Sequence, residues 1–252
     1  MQAIYDFYSN GYIMTFFVAL AILLFSVVQS VVGIGVLLFG TPTLLLMGYS
    51  YHETLYLILP SSILISLLQT INSYKSLKHT RCVFIYALPM VVIGLLMTTF
   101  VKNDVAIHYI VGSMLLMIGL IRSVSFIKQY LKRILIKNKV SYHIIMGLIH
   151  GVSNMGGGML VVLMSSLHVK RNAMLANIAY VYLLFGIIQM ITLYFFSKES
   201  INMDAIALAS VSLVVYIFSV KFIAKRVSDL RFDSLISLLI ISYGILSFVN
   251  LG

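Results

Sequence analysis

Two glycine-rich stretches decide the fold of this chain: Val32-Gly33-Ile34-Gly35-Val36-Leu37-Leu38-Phe39-Gly40-Thr41-Pro42 and Ser153-Asn154-Met155-Gly156-Gly157-Gly158-Met159-Leu160-Val161. Each interrupts a long apolar run, and the two stand about half a chain apart. A shift of 121 positions places Gly35 on Gly156 and Gln29 on His150. Glycine breaks in corresponding helices of two halves are typical of transporters that bind their substrate between the halves.

The composition is that of a polytopic membrane protein. Hydrophobic residues make up 61% of the 252 residues, charged residues make up 10%, and the mean hydropathy is +1.06. These values lie far outside the range of soluble globular domains. A membrane-spanning helix needs about 20 apolar residues. The chain offers eight such stretches, approximately 12–39, 53–72, 82–101, 105–127, 142–167, 173–197, 203–222 and 232–251.

We therefore predict an all-α polytopic membrane protein with about eight transmembrane helices, arranged as two four-helix repeats. The first helix of each repeat is predicted to be broken at its glycine-rich motif. The first transmembrane repeat comprises residues 1–127, a basic inter-repeat loop comprises 128–141, and the second repeat comprises 142–252. An even number of spans per repeat would make the repeats parallel and an odd number would invert them, and the sequence leaves both open.

The 17 basic residues indicate the orientation in the membrane. With eight crossings, the loops on the side of both termini hold ten of them and the opposite loops hold seven. Positively charged loops favour the cytoplasm, so we expect both termini in the cytoplasm. The basic cluster at 221–231 fits this arrangement poorly. Either the bias is weak, or a glycine break forms a re-entrant segment and changes the span count.

Several classes of protein are disfavoured by what the sequence lacks. It has no G-x-x-x-x-G-K-[ST] loop and no room for a nucleotide-binding domain, so transport by its own ATP hydrolysis is not expected. The net charge of +10 lies in loops, where lipid headgroups rather than nucleic acid are the expected partners. The single cysteine, Cys82, cannot form an intramolecular disulfide. We expect no cofactor and no bound metal.

The Gly156-Gly157-Gly158 run is predicted to be an unwound turn that faces a ligand. Three successive glycines cost about 2–3 kcal/mol of helix propensity relative to alanine, and backbone groups freed inside lipid need a partner. The N–H groups of such a turn, together with the N-terminus of the following helix, suit an anion. The same prediction applies to Gly33 and Gly35. The alternative is close packing of helices through small residues.

Polar side chains beside the two breaks are further candidates for substrate binding. Gln29 and His150 lie about one turn before their breaks, and polar groups within spans usually face the bundle interior or a cavity. Thr41 can cap a helix or reach a ligand, and Pro42 fits the start of a new helix. The remaining predicted binding residues are Ser153, Asn154 and Asn177.

No carboxylate occupies the middle of any predicted span. This argues against an Asp/Glu proton relay and favours an anionic substrate, which a buried carboxylate would repel. If transport is coupled to protons, His150 is the best candidate to carry one. An intramembrane serine hydrolase with Ser153 as nucleophile is the least favoured alternative, because Asn154 stands where a glycine should follow the serine. We expect no enzymatic activity.

At these two segments the chain resembles the TauE/SafE sulfite exporter family, also described as the toluenesulfonate uptake permease family. The family's duplicated pattern is G-x-G-G-G-x-x-x-x-P-x-L-L-x-x-G followed by A-x-[AG]-[TS]-S. The matching residues are Gly33, Gly35, Pro42, Leu44, Leu45 and Gly48 in the first copy and Gly156, Gly157, Gly158 and Ala173 in the second. The replaced positions are Val36 and Leu37 for two motif glycines, Asn154 for another, and Leu163 for the second proline. The resemblance implies secondary transport of small sulfur-containing or organic anions across a bacterial inner membrane.

These observations together predict a secondary membrane transporter, a permease for a small organic or sulfur-containing anion. Its partners would be that anion, the lipid bilayer and, if transport is coupled, protons. The main alternative is a non-transporting membrane scaffold or assembly factor whose glycines only pack helices. Such a scaffold predicts a closed bundle at the level of the breaks.

Overall fold

The computed structural model describes residues 2–78, 81–100, 104–124, 126–127, 129–130, 133, 137–167, 170–197, 203–222 and 229–249. Within these residues the chain is helical and holds no β-strand. The ten α-helices with defined bounds are α1 (Gln2–Val32), α2 (Val36–Leu46), α3 (Tyr51–Asn72), α4 (Leu88–Phe100), α5 (Asp104–Ser123), α6 (Lys139–Ser153), α7 (Gly156–Leu167), α8 (Arg171–Phe196), α9 (Met203–Phe222) and α10 (Asp229–Val249). A 3₁₀ turn, Tyr74–Ser76, follows α3, and a π-helix, Val83–Ala87, precedes α4.

Five of these helices are long and apolar enough to cross a membrane: Thr15–Val32 within α1, Tyr51–Asn72, Ala106–Ser123, Arg171–Phe196 and Met203–Phe222. Shorter apolar helices lie between them. Large side chains such as Phe16, Tyr194 and Phe195 are more than half exposed, as expected of residues that face lipid. The predicted all-α, multi-pass membrane protein is thereby confirmed, whereas the eight-span, two-repeat layout is not tested by these bounds.

Both predicted helix breaks are present. The apolar stretch 12–39 is divided between α1, which ends at Val32, and α2, which begins at Val36. The stretch 142–167 is divided between α6 and α7, which are separated by two residues. Gly33 has φ 86° and Asn154 has φ 65°. These left-handed conformations favour glycine and asparagine, which explains the residue types at these equivalent positions.

At each break the chain turns back on itself instead of continuing along the same axis. A Cβ atom on Gly35 would lie 2.6 Å from the carbonyl oxygen of Phe25, ten residues earlier. A Cβ atom on Gly156 would lie 2.7 Å from the carbonyl oxygen of Met146. In a continuous helix, residues ten apart are separated by about 15 Å. The start of α2 therefore lies against α1, and the start of α7 lies against α6.

Two details of the sequence prediction need correction or qualification. Pro42 does not mark a helix start, because α2 begins six residues earlier, at Val36, and Pro42 is buried inside it. The glycine turn, not the proline, ends α1. Positions 128, 131, 132 and 134–136 of the predicted basic loop 128–141 lie outside the described residues, and Lys139 already begins α6.

Helices from the two halves pack against each other in pairs. Helix α3 packs against both α8 and α9, and α5 packs against α10. The pairs α1 with α9, α4 with α6 and α4 with α8 also join the two halves. At the α4–α6 contact, a Cβ atom on Gly94 would lie 2.5 Å from the carbonyl oxygen of Leu148. Small residues here bring two backbones into contact, as is common between membrane helices.

Candidate functional site

The side chain of Gln29, in the last turn of α1, links the two helices at the first break. Its Oε1 accepts a hydrogen bond from the backbone N–H of Val36, the first residue of α2, at 3.0 Å. Its Nε2 lies 3.0 Å from the hydroxyl of Ser62 and 3.1 Å from that of Ser66, both on α3. Gln69, farther along α3, donates to the carbonyl oxygen of Gln29 at 3.0 Å. Both polar atoms of the Gln29 side chain therefore have protein partners.

The second break is held by Asn154, which is fully buried. Its Nδ2 donates to the hydroxyl of Thr41 on α2 at 3.0 Å. Its Oδ1 accepts from Nε2 of Gln189 on α8 at 3.1 Å. Thr41 and Asn154, two predicted binding residues from different halves, thus meet directly. The hydrogen bond joins the turn of one break to the helix that follows the other.

His150 lies in the last turn of α6 and is fully buried. Neither of its ring nitrogens has a hydrogen-bond partner among the described residues. The ring centroid lies 4.5 Å from that of Phe185 and 5.8 Å from that of Tyr182, both on α8. The side chain of Gln189 lies beside the imidazole. The two groups do not meet the geometry of a hydrogen bond, and Oε1 of Gln189 has no other partner within the described part of the chain. Buried polar groups are nearly always paired, so these atoms need an explanation.

Tyr182 adds a fourth unpartnered polar atom beside the second break. Its hydroxyl is buried and, within the described ranges, makes no hydrogen bond. A Cβ atom on Gly157 would lie 2.7 Å from this hydroxyl oxygen, so the phenol lies directly on the glycine backbone. We call the side chains of His150, Tyr182 and Gln189 beside Gly157 the His150 cluster.

The His150 cluster occupies the position that the Gln29 hydrogen bonds occupy in the first copy. The shift of 121 positions pairs Val36 with Gly157. In the first copy the side chain at the earlier position caps the amide at the later one, whereas His150 makes no hydrogen bond to any described residue. The first N–H groups of a helix have no partner within that helix. His150 therefore does not cap Gly157 as Gln29 caps Val36, and the hydroxyl of Ser153 instead accepts a hydrogen bond from the N–H of Met155, just before α7, at 3.3 Å.

The other predicted residues divide into two groups. Gly33, Gly35, Gly156 and Gly158 lie at or beside the breaks, and each is closely packed: a Cβ atom on Gly158, for example, would lie 2.6 Å from Ile118. The hydroxyl of Ser153 donates to the carbonyl oxygen of Ile149 at 2.7 Å. Asn177 stands apart, because its Oδ1 accepts from the backbone N–H of Lys78 at 2.9 Å, beyond the end of α3.

Tyr182 was missed by the sequence prediction, and Gln189 was not among the predicted binding residues. Both lie in the apolar helix α8, where a tyrosine or a glutamine carries no motif. The repeat supplies the only usable signal: a shift of 119 positions, which places Tyr51 on Lys170, the residue before α8, also places Ser66 on Phe185. Gln29 therefore faces hydroxyl groups of α3, whereas His150 faces aromatic rings of α8.

A cavity of about 400 Å³ lies beside α6 and α7 but has the wrong chemistry for an anion. Its lining is mostly apolar and includes Met117, Ile145 and Val162. It is separate from the His150 cluster, none of whose side chains lines it. An apolar ligand such as a lipid tail would suit it better than a charged substrate.

Comparison with known proteins gives one family. The family model described as "Sulfite exporter TauE/SafE" matches residues 18–246, nearly the whole chain. No curated protein and no solved structure matches the chain. The match includes both glycine breaks and all three side chains of the His150 cluster. The chain therefore belongs to the sulfite exporter TauE/SafE family, whose members are membrane transporters and not enzymes.

Proposed function

We propose that this protein is a secondary transporter of a small sulfur-containing or organic anion, such as sulfite, across the bacterial inner membrane. The observation that carries the proposal is the His150 cluster, in which four buried polar atoms at the start of α7 have no hydrogen-bond partner among the described residues. Of the predicted binding residues, we assign contact with the anion to His150 and Gly157 in the second copy. Gln29, in the first copy, stabilises its helix break instead.

The groups at this site are suited to an anion. The backbone N–H of Gly157, the hydroxyl of Tyr182 and an N–H of His150 are hydrogen-bond donors, and a helix N-terminus favours negative charge. Oε1 of Gln189 is an acceptor and would suit an anion that carries a proton, such as hydrogen sulfite. A sulfite-like anion offers oxygen acceptors on several sides, which matches donors that converge from α6, α7 and α8.

Access to this site requires movement. His150 and Gln189 are fully buried, and Tyr182 is 1% exposed. The anion reaches them only when the turn between α6 and α7 moves relative to α8. Motion of one packed unit against another around a fixed site is the usual basis of alternating access. Coupling to protons, if present, would use His150, which is the only titratable side chain of the cluster besides Tyr182.

A pair of tyrosine substitutions tests the site. Tyr182→Phe removes a hydroxyl that makes no hydrogen bond to the described part of the chain. We therefore expect unchanged thermal stability and loss of most of the sulfite binding, about tenfold for one hydrogen bond to a charged group. Tyr142→Phe is the matched control: its hydroxyl donates to the carbonyl oxygen of Met159 at 2.7 Å. That variant should lose stability and keep its affinity. Binding would be measured by thermal shift in nanodiscs with sulfite, thiosulfate, taurine, sulfoacetate and a carboxylate control.

Transport itself is measured by uptake of the bound anion into proteoliposomes. Loss of transport in Tyr182→Phe, with transport retained in Tyr142→Phe, would support the proposal. Equal binding and transport in both variants would remove the His150 cluster from the mechanism. If none of the anions shifts the melting temperature of pure, monodisperse protein and none is taken up, a sulfur-anion substrate is wrong and the scaffold alternative gains support.

A further inference from the structure

We propose that both glycine breaks are tips of re-entrant hairpins that enter the membrane from opposite faces. The chain then crosses the membrane six times, as two inverted repeats, and both termini lie outside the cytoplasm. This arrangement is independent of the proposed substrate. It replaces the eight crossings and the cytoplasmic termini expected from hydropathy and charge.

The second hairpin, α6 with α7, gives the clearest geometry. Gly156 lies against Met146 and His150, and Met159 accepts a hydrogen bond from Tyr142, nearer the start of α6. Val162 lines the same cavity as Asn138, which precedes α6. As α7 advances it therefore returns along α6. The two helices have 15 and 12 residues, so they are about 22 Å and 18 Å long, too short for a hydrocarbon core of about 30 Å.

The first hairpin, α1 with α2, follows the same course. Gly35 lies against Phe25 and Gln29 of α1, and the rings of Phe25 and Phe39 are 5.6 Å apart. The 11 residues of α2 are about 16 Å long. Thr15–Val32 has the length to cross alone, but α2 returns along it and leads directly into α3. The hairpin therefore enters and leaves on the face where α3 begins, which we call the α3-start face.

The equivalent helices α3 and α8 run in opposite directions. Asn177, in the second turn of α8, binds the carbonyl oxygen of Ser76, just past the end of α3. Gly186, farther along α8, lies against Ile63 and Leu59, back towards the middle of α3. Residue numbers therefore increase along α8 in the direction in which they decrease along α3. Two copies of one unit with opposite directions are inverted, and this requires an odd number of crossings per copy, here three.

Contacts between helix ends assign the remaining helices to the same two faces. On the α3-start face, His52 lies 3.3 Å from Thr98 at the end of α4, and His108 near the start of α5 lies 3.1 Å from the carbonyl oxygen of Leu45 at the end of α2. On the opposite α3-end face, Asn72 donates to Tyr216 late in α9 at 3.0 Å. In a chain with six crossings, the two helix ends that meet in each of these contacts lie on the same face of the membrane.

The basic residues support this count. With six crossings and two hairpins, only Lys102 and Lys198 fall on the α3-start face, and the other fifteen basic residues fall on the α3-end face. The same residues divide ten to seven with eight crossings. The basic cluster at 221–231, which fits the eight-crossing arrangement poorly, then lies on the same face as most other basic residues. Because Lys and Arg are enriched in cytoplasmic loops, the α3-end face is cytoplasmic.

Cysteine labelling tests the arrangement, because the chain has one native cysteine. Cys82 is partly exposed at the α3-end face, and the probe is a membrane-impermeant maleimide applied to spheroplasts before and after permeabilisation. The two further variants are Cys82→Ser with Lys170→Cys and Cys82→Ser with Lys198→Cys. Six crossings place positions 82 and 170 on one face and 198 on the other, whereas eight crossings place 82 with 198 and separate 170.

We expect labelling of position 198 in intact spheroplasts, and labelling of positions 82 and 170 only after permeabilisation. Position 170 labelled from the face opposite to 82 would overturn the re-entrant hairpins. Positions 82 and 170 both labelled from outside would keep the hairpins and overturn the cytoplasmic assignment. Thermal melting of each purified full-length variant confirms that the labelled protein is folded. None of these measurements requires transport. Their outcome can therefore be distinguished from a failure of the proposed substrate.

Discussion

Gln29 accepts a hydrogen bond from the backbone N–H of Val36 at 3.0 Å, and this bond fastens the end of one helix to the start of the next across a reversal of the chain. The two residues are seven positions apart, so they meet only because Gly33 and Gly35 turn the chain. Inside a membrane no water replaces a lost partner. The side chain of Gln29 therefore supports the backbone conformation that the glycines permit.

Replacement of Gln29 by alanine should destabilise the protein. The change leaves the N–H of Val36 without its acceptor and removes a partner from Ser62 and Ser66. A buried group left unpaired costs about 1–3 kcal/mol, so we expect a clearly lower melting temperature in detergent. Asn72→Ala, which removes one partly buried hydrogen bond to Tyr216, is the control. An equal, small effect of both changes would show that the Gln29 cap is not structural.

Replacement of His150 by phenylalanine should have the opposite profile. The phenylalanine ring can keep the contact with Phe185, 4.5 Å away between centroids, and no hydrogen bond to a described residue is lost. We expect stability equal to or above that of the native protein, with loss of anion binding and transport. His150→Gln, which restores the residue of the first copy, should retain more binding than His150→Phe and should flatten the pH dependence of transport between pH 5 and 8. Full transport by His150→Phe would contradict a role in binding.

Addition of a methyl group at Gly157 should abolish function by displacing Tyr182. A Cβ atom there would lie 2.7 Å from both the ring and the hydroxyl oxygen of Tyr182, and overpacking of this kind costs about 1–3 kcal/mol. Gly40→Ala is the matched control on α2, because its nearest new contact is with Ile58 at 3.4 Å. We expect Gly157→Ala to insert and fold with reduced stability and no transport, while Gly40→Ala stays close to the native protein in both measurements.

The hydrogen bond between Thr41 and Asn154 should couple the two hairpins. Thr41→Val removes the acceptor, and Asn154→Gly removes the donor while keeping a residue that tolerates φ 65°. A double-mutant cycle of melting free energies should give a coupling of about 0.5–1.5 kcal/mol, the range for membrane hydrogen bonds. Additive effects of the two substitutions within experimental error would show that this hydrogen bond contributes nothing to the stability of the protein.

The sequence located the two breaks because glycine and asparagine at Gly33 and Asn154 are required by backbone conformation, which is a local property. It offered a reversal only as one of two alternatives, since the direction of the chain after Gly35 depends on contacts with Phe25 and Gln29. Hydropathy has the same limit. The stretch 142–167 has the apolar length of one span, and apolar length does not distinguish a single crossing from two short helices such as α6 and α7 that pack side by side.

The candidate site shows the same division. The positions of Gln29 and His150 were predicted from the repeat, but their different chemistry was not. Gln29 is fully paired because serines stand opposite it on α3, whereas His150 faces Phe185 and Tyr182 on α8. These neighbours come from a helix whose pairing with the break is a tertiary property. Asn177 shows the limit of predicting from polarity alone, since it binds backbone groups beyond the end of α3.

The depth of the second hairpin bears on membrane voltage. Close to its tip, the carbonyl oxygen of Gly151 accepts a hydrogen bond at 3.1 Å from the hydroxyl of Tyr51, the first residue of α3. In the proposed orientation the neighbouring His150 is separated from the cytoplasm by most of the electric field, which acts on each elementary charge with about 2.3 kcal/mol per 100 mV. An interior-negative potential would therefore drive an anion from the cytoplasm up to the site. We expect the initial rate of outward anion flux from proteoliposomes to rise with an imposed potassium diffusion potential, while binding from the outer face stays nearly independent of it.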